Sequence, residues 1–115
     1  MKSDKIYILH MIDSMDQISE YTDQITSGEF KENRLIQDAV IRNFEVIGEA
    51  AKNVSDETRE AYPHIPWKNM AGMRDKLIHN YMGVDLDAVW NTIEDIIPSM
   101  RDELLEVSNS IDEDP

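Results

Sequence analysis

The stretch ENRLIQDAVIRNFEVIGEAAKNV, residues 32–54, decides the fold class. Its apolar residues recur in steps of three and four, at Ile36, Val40, Phe44, Ile47, Ala51 and Val54. Residues three and four apart are neighbours on the surface of an α-helix, so these side chains share one face. The stretch therefore predicts a helix from about Glu32 to Val54 that buries one side.

The residues before this stretch predict another long helix, from about Asp4 to Ile25, with Ser3 as its N-cap. Its expected apolar face consists of Ile6, Leu9, Ile12, Met15, Ile18 and Ile25. The dipeptide Ser27-Gly28 predicts the break that follows, because serine and glycine favour turns.

Three further helices are predicted after residue 54. Ser55 caps a short one, Asp56 to Ala61, which Pro63 and Pro66 end. The next begins near Trp67 and runs to Gly83.

Asp85 caps the last helix, from Leu86 to about Val107, in which Pro98 predicts a kink. The inward side chains expected there are Val89, Trp90, Ile93, Ile97, Met100 and Leu104. We also expect Phe44 and Trp67 in the core, because large aromatic side chains are mostly buried.

Long helices with short connections predict an all-α fold, a compact antiparallel bundle of four main helices and one short helix. The chain has 115 residues, which is the length of one domain. We expect this domain to cover residues 1–110 and an acidic, frayed tail to follow at 111–115.

The composition indicates the cellular compartment and whether a metal or cofactor is needed. The N-terminal residues do not resemble a secretory signal, and no run of about 18 apolar residues predicts a membrane span. We therefore expect a cytoplasmic protein. Cysteine is absent and the histidines are His10, His64 and His79, without a ligand spacing typical of a metal site. The sequence predicts neither a metal nor a cofactor.

Positive charge is concentrated in one segment of an acidic chain. The formal net charge is −13. Residues 61–84 hold Lys68, Arg74 and Lys76 against Asp75 alone, a net of +2, so the rest of the chain carries −15. Because phosphate binding needs positive potential, general coating of nucleic acid is disfavoured and any such contact is expected in this segment.

The same segment contains RDKLIHNY, residues 74–81, with the pattern R-x-x-x-x-H-x-Y. On one helix Arg74 and His79 would point about 140° apart. A groove on a two-fold axis would bring both together, because each protomer contributes one arginine and one histidine. By spacing alone, however, ordinary surface or core roles for the two residues are the more frequent outcome.

RNA cleavage without a metal suits such a shared groove. It needs a base for the 2′-hydroxyl proton and an acid for the leaving 5′-oxygen, which two symmetry-related copies of His79 could supply. Arg74 suits the charge that develops on the phosphorane oxygens. Asp75, four residues before His79, could orient its ring.

The motif resembles that of HepT-like proteins in the HEPN superfamily. The likeness extends to IRNFEVIGEAAK at 41–52, to YPHIPWKNMAGMR at 62–74 and to YMGVD at 81–85, and it covers about Leu35 to Leu104. The resemblance implies a helical homodimer that is a metal-independent ribonuclease and the toxin of a type VII toxin–antitoxin pair. Arg74 and His79 would be catalytic, with RNA as the substrate.

The resemblance also implies a partner, an MntA-type nucleotidyltransferase antitoxin that transfers AMP to Tyr81. Asp75 and Lys76 would support the site. For Arg42 and Glu49, seven residues apart on one face of the second helix, solvated or paired positions and a place in the RNA groove are both open.

Two other functions remain possible at this point. The chain could be a non-catalytic regulatory subunit that binds a nucleotidyltransferase and is modified by it, which the acidic surface would favour. It could also be a bundle without site chemistry. Arg74 and His79 together favour the ribonuclease, because a scaffold needs neither.

Overall fold

The computed structural model describes residues 2–72 and 85–111. Within them the chain is helical with short connections and has no β-strand. The helices are α1 (Lys2–Tyr21), α2 (Ser27–Glu32), α3 (Arg34–Asn53), α4 (Asp56–Ala61), α5 (helical at 67–72), α6 (Leu86–Asp95) and α7 (Ile97–Ser110). The predicted all-α class is confirmed, while the homodimer stays a prediction.

Helix α3 supplies one wall of the core, as its sequence predicts. It begins under Asn33, whose side chain accepts the backbone N–H of Ile36 at 3.1 Å. The expected face is confirmed: Ile36 is partly buried, and the fully buried members are Val40, Phe44, Ile47, Ala51 and Val54. This face packs against α1, which is the most extensive helix–helix contact among the described elements.

The predicted face of helix α1 is confirmed in part: Ile12, Met15 and Ile18 are buried, and Ile25, just after the helix, is partly buried. The other buried side chains of α1 are Asp4, Ile8, Met11 and Ser14. Ile6 and Leu9 were expected inside but are 47% and 44% exposed. Both series fit a helix, so contacts with α3 and α7 decide which one is buried.

The ends of α1 also differ from the prediction. The helix begins at Lys2, so Ser3 lies inside its first turn and is not the N-cap. It ends at Tyr21 rather than near Ile25. In the connection that follows, Gln24 has a φ of 62°, the left-handed conformation that stops a helix.

Ser27-Gly28, predicted as a break, instead starts α2. The reason is a capping box at Thr26 and Glu29: the Thr26 hydroxyl accepts the Glu29 N–H at 3.1 Å, and the Glu29 carboxylate accepts the Thr26 N–H at 3.0 Å. The T-x-x-E signature was present in the sequence.

Helix α2 ties the start of α3 to α6. Phe30 is fully buried, and its ring centroid lies 5.3 Å from that of Trp90. The Gln37 amide donates to the carbonyl oxygens of Phe30 and Lys31, both at 2.9 Å. The Lys31 ammonium also pairs with the carboxylate of Asp87 at the start of α6.

The last helix begins as predicted and is interrupted near Pro98. Asp85 caps α6 through the Ala88 N–H at 3.0 Å. The kink expected at Pro98 takes the form of a break at Ile96, where α6 ends and α7 starts, because proline cannot donate the hydrogen bond that would join them. Helix α7 continues to Ser110, three residues beyond the predicted end, and all six predicted inward residues of α6 and α7 are buried.

A buried carboxylate joins the start of α1 to the start of α4. The Asp4 side chain accepts the Ser55 N–H at 2.9 Å, and the Ser55 and Thr58 hydroxyls donate to it at 2.6 Å each. Ser55 is at the same time the predicted N-cap of α4, and its hydroxyl oxygen accepts the Thr58 N–H. Since Ser55 follows the end of α3, this contact shows that α1 and α3 run antiparallel.

The Asp4 side chain accepts these hydrogen bonds as a charged carboxylate. Burial raises the pKa of this carboxyl, but the hydrogen bonds from Ser55 and Thr58 together outweigh burial, so the pKa lies below its ordinary value. Asp4 is 2% exposed, so a neutral substitute would leave buried donors with a weaker acceptor.

We predict that Asp4→Asn lowers the free energy of unfolding at pH 7 by about 1–3 kcal/mol. A carboxyl whose pKa is depressed by folding stabilises the protein above its unfolded pKa of about 3.9 and loses that contribution as the pH falls through the folded value. The gap between wild type and variant should therefore shrink as the pH falls below about 4. Urea unfolding at several pH values measures it.

The matched control for Asp4 is Asp13→Asn, an exposed aspartate on the same helix. It should change stability by less than about 0.5 kcal/mol. An equal loss in both variants, or a gap for Asp4→Asn that does not depend on pH, would show that the ionised carboxylate does not join the helices.

Candidate functional site

Some of the predicted site residues are among the described residues and others are not. Arg74, Asp75, Lys76, His79 and Tyr81 belong to residues 73–84, which lie outside the described residues. Their roles therefore stay predictions. We call residues 73–84 the motif segment. The described chain contains the residues directly before and directly after this segment, as well as Arg42 and Glu49.

The entrance to the motif segment is held rigidly by the Tyr62 carbonyl. This oxygen accepts the Ile65 N–H at 3.2 Å and the indole N–H of Trp67 at 3.0 Å. Ile65 and Trp67 are both buried, which confirms Trp67 as a core residue. Pro66 then offers its carbonyl to the Met70 N–H at 3.1 Å and so begins α5. These bonds fix where α5 starts and in which direction it points.

Helix α5 presents two different faces. Trp67 and Met70 are buried against the core. Lys68, Asn69 and Gly72 are exposed. A helix whose first turn is anchored by a buried tryptophan has little freedom to rotate, so these exposed positions are set by the core.

The exit from the motif segment is anchored as well. Asp85 caps α6, and Trp90 on the next turn is buried against Phe30. The motif segment is therefore joined at both ends to helices with buried aromatic residues. A functional site needs such anchoring, because rigid neighbouring elements hold its side chains in position.

Arg42 and Glu49 lie in an open groove between α1 and α3. One part of it, about 300 Å³, is lined by Tyr7, His10, Arg42, Glu45, Val46, Glu49, Ala50 and Asn53. An adjoining part of about 370 Å³ shares His10, Arg42 and Val46. The two predicted supporting residues thus share one surface depression, and whether RNA occupies it stays a prediction.

Arg42 is only weakly engaged in this groove. Its guanidinium is 74% exposed and lies 3.9 Å from the Glu45 carboxylate, which is the limit of an ion pair. Sequence reasoning did not place His10 beside Arg42, because the two are 32 positions apart on different helices. Exposed polar residues on separate helices carry no local signal of proximity.

Residues 2–72 and 85–111 contain no group of three or more histidine, aspartate or glutamate side chains arranged to hold a metal ion. None of the described helices is long and apolar enough to cross a membrane.

Comparison with known proteins identifies the family. The model of the family described as "Ribonuclease HepT-like" matches residues 11–107. The chain belongs to the HepT-like ribonuclease family. Residues 62–72 and 85 onward, which anchor the motif segment, are both inside the matched region of this HepT-like chain.

Individual relatives agree with this assignment. The chain is 42% identical over 100 residues to a protein of Thermococcus cleftensis named "Probable ribonuclease HepT", a match that covers 87% of this chain and 91% of the relative. It is 44% identical to a protein of Methanocaldococcus jannaschii named "Putative RNase", with 95% and 94% of the two chains covered.

A third relative is longer. The chain is 46% identical over 111 residues to a protein of Methanocaldococcus jannaschii named "Gamma-glutamylcyclotransferase and putative RNase". The match covers 96% of this HepT-like chain and spans half the length of that relative. No solved structure matches the chain.

Proposed function

We propose that this chain is a toxin that cleaves RNA without a metal, with Arg74 and His79 as its catalytic residues. The observation that supports this most directly is the intact R-x-x-x-x-H-x-Y motif in a member of the HepT-like ribonuclease family. The anchored entrance at Trp67 and exit at Asp85 fit a segment that has to hold reactive side chains in place. The reaction would take place in the cytoplasm.

The proposed reaction is an in-line displacement at phosphorus. One histidine accepts the proton of the ribose 2′-hydroxyl as its oxygen attacks, and the bond from phosphorus to the 5′-oxygen breaks. A second histidine donates a proton to that leaving oxygen. Arg74 stabilises the negative charge on the non-bridging oxygens during the transfer. Each proton is accounted for, and no further reagent is required.

A homodimer supplies the second histidine. The motif contains one histidine per chain, and the acid and base must stand on opposite sides of the phosphorus. A groove on a two-fold axis offers His79 from both protomers to one phosphodiester. We therefore propose that the active unit is the dimer and that Asp75 and Lys76 support each copy of the site.

A second candidate is a regulatory subunit that binds a nucleotidyltransferase without cutting RNA. The observation that favours it is the acidic composition, with 24 acidic against 11 basic residues. Such a surface repels RNA in general and suits a protein partner. The two candidates differ in whether Arg74 and His79 are needed for an RNA-cleaving activity.

We predict that the purified protein cleaves RNA in the presence of EDTA. Arg74→Ala and His79→Ala should each lower the rate by about 100-fold or more, because each removes a group that acts on the transition state. The measurement is the initial rate on a fluorescent RNA oligonucleotide, together with the melting midpoint of every variant, which should stay near that of the wild type.

The controls for this experiment are His64→Ala and Arg34→Ala. Both residues are exposed, and Arg34 pairs with Asp38 on its own helix. They should retain cleavage. If either motif variant cuts as fast as these controls, the assigned roles are wrong, and if the wild type does not cut, the regulatory subunit becomes the better candidate.

We predict that active sites are shared between protomers. When wild-type and His79→Ala proteins are mixed at equal concentration and allowed to exchange subunits, random pairing leaves about one quarter of the dimers with two histidines. Activity should fall to that fraction, whereas independent sites would retain one half. Sedimentation measures the dimer, and a fully active monomer would contradict the shared groove.

We also propose that an MntA-type nucleotidyltransferase acts as the antitoxin by modifying Tyr81. The Tyr81 oxygen would attack the α-phosphorus of ATP, with release of pyrophosphate and loss of the phenolic proton. The tyrosine is two positions from His79 in the motif. A phosphodiester anion beside the site would compete for Arg74 and repel the RNA backbone, so inhibition requires no change of fold.

We predict that incubation with ATP and an MntA-type nucleotidyltransferase adds one or more AMP groups and stops RNA cleavage. Tyr81→Phe should stay unmodified and active under the same conditions. Intact-mass spectrometry and the oligonucleotide assay measure the two effects. An equal mass gain in Tyr81→Phe would place the modification elsewhere.

A further inference from the structure

Charge pairing on the described surface leaves one lysine without an acidic partner. Most of the described basic side chains have a partner: Lys31 pairs with Asp87, Arg34 with Asp38 and Arg101 with Asp16, while Arg42 lies 3.9 Å from Glu45 and is only weakly paired. The Arg59 guanidinium donates to three backbone carbonyls at the end of α3, and Lys5 and Lys52 also have partners. Among the described side chains Lys68 alone remains, exposed on α5.

The position of this lysine is notable because the chain is acidic. A lysine on a surface that carries excess negative charge can readily pair with a carboxylate, as Lys31 does with Asp87. An exposed, unpaired ammonium keeps its full attraction for an external anion. Lys68 is therefore the described position best suited to a phosphate group.

A second observation concerns Gly72, one helical turn beyond Lys68. A Cβ added to Gly72 would meet no atom within 4 Å, so nothing described in the fold requires a glycine there. Its φ is not positive, so the backbone does not require one either. Glycine lowers helix stability relative to alanine, and a bare helix surface allows another molecule to approach the backbone closely.

These two positions share one face of α5. Residues four apart on a helix are neighbours, and the buried side chains of Trp67 and Met70 hold this face outward. The face stands immediately before the motif segment in the chain, since Arg74 follows Gly72 by two positions. A nucleic acid strand on this face would meet a positive charge at Lys68 and open space at Gly72.

We propose that the Lys68–Gly72 face of α5 is the RNA-docking surface, with Lys68 binding a backbone phosphate and Gly72 giving the strand clearance. This inference rests on the proposed ribonuclease function and adds residues outside the catalytic motif. Because Lys68 has no partner among the described residues, we place the charge contact with RNA on this face of α5. Lys68 is a binding residue and takes no part in the proton transfers.

The test uses RNA binding, which does not depend on cleavage. In a His79→Ala background, the affinity for a fluorescent single-stranded RNA oligonucleotide is measured by anisotropy from low to high NaCl. For single strands each neutralised phosphate contributes about 0.7 to the slope of log affinity against log salt. Lys68→Ala should make the slope shallower by about that amount, Lys68→Arg should preserve it, and Arg34→Ala should leave it unchanged.

Substitutions at Gly72 provide a second test of the docking surface. Gly72→Ala should raise the melting midpoint by about 2–5 °C, because alanine favours a helix and the space is open. RNA affinity should nevertheless fall, by about ten-fold for the larger Gly72→Gln, because the strand can no longer approach. Opposite changes in stability and binding are the signature of a docking surface, since a structural glycine would lose both.

The outcomes separate this inference from the proposed function. An unchanged salt slope in Lys68→Ala, full affinity in Gly72→Gln or no RNA binding at all would overturn the docking surface. Loss of the dimer in Gly72→Ala, measured by sedimentation, would show that a second copy of the chain covers this face and would also overturn it. Cleavage by the wild-type protein is scored separately and decides the proposed function.

Discussion

The carboxylate of Asp4 links parts of the chain that are more than 50 residues apart. By accepting three hydrogen bonds from Ser55 and Thr58, it holds the first turn of α1 against the turn that joins α3 to α4. The antiparallel packing of α1 on α3 is thereby fixed in register, and this pair forms the largest contact among the described helices. Because α4 leads to the connection that begins α5, the position of the first turn of α5 depends on the same contact.

Two further contacts hold the helices before and after the motif segment. Helix α2 bridges α3 and α6 through Phe30 and Trp90, and Trp67 locks the start of α5 by bonding the Tyr62 carbonyl. The motif segment thus leaves and rejoins the bundle at buried aromatic residues. The proposed ribonuclease mechanism needs such rigid supports, since small displacements of an acid or a base cost much of the rate.

Positive charge is distributed unevenly along this acidic chain. Most described cations are compensated by neighbouring carboxylates or carbonyls, and the excess negative charge repels polyanions. The basic segment that begins at Lys68 is the exception in the sequence, with Arg74 and Lys76 following. Under the proposed function, an acidic protein with one basic segment would bind RNA only where it cuts, and the proposed modification of Tyr81 would add negative charge to that segment.

The sequence by itself determined the helical class, the inner faces of α3, α6 and α7, the caps at Ser55 and Asp85, and the motif that places the chain in its family. These are local properties, which spacing, cap residues and proline express within a few positions. Only the tertiary structure decided which face of α1 is buried, because Ile6 and Leu9 compete with Ile8 and Met11 for the same helical pattern. It also decided that Asp4 is buried, that His10 and Arg42 share a groove and that Lys68 has no partner among the described residues. Each of these depends on residues distant in the chain, whose proximity no local pattern encodes.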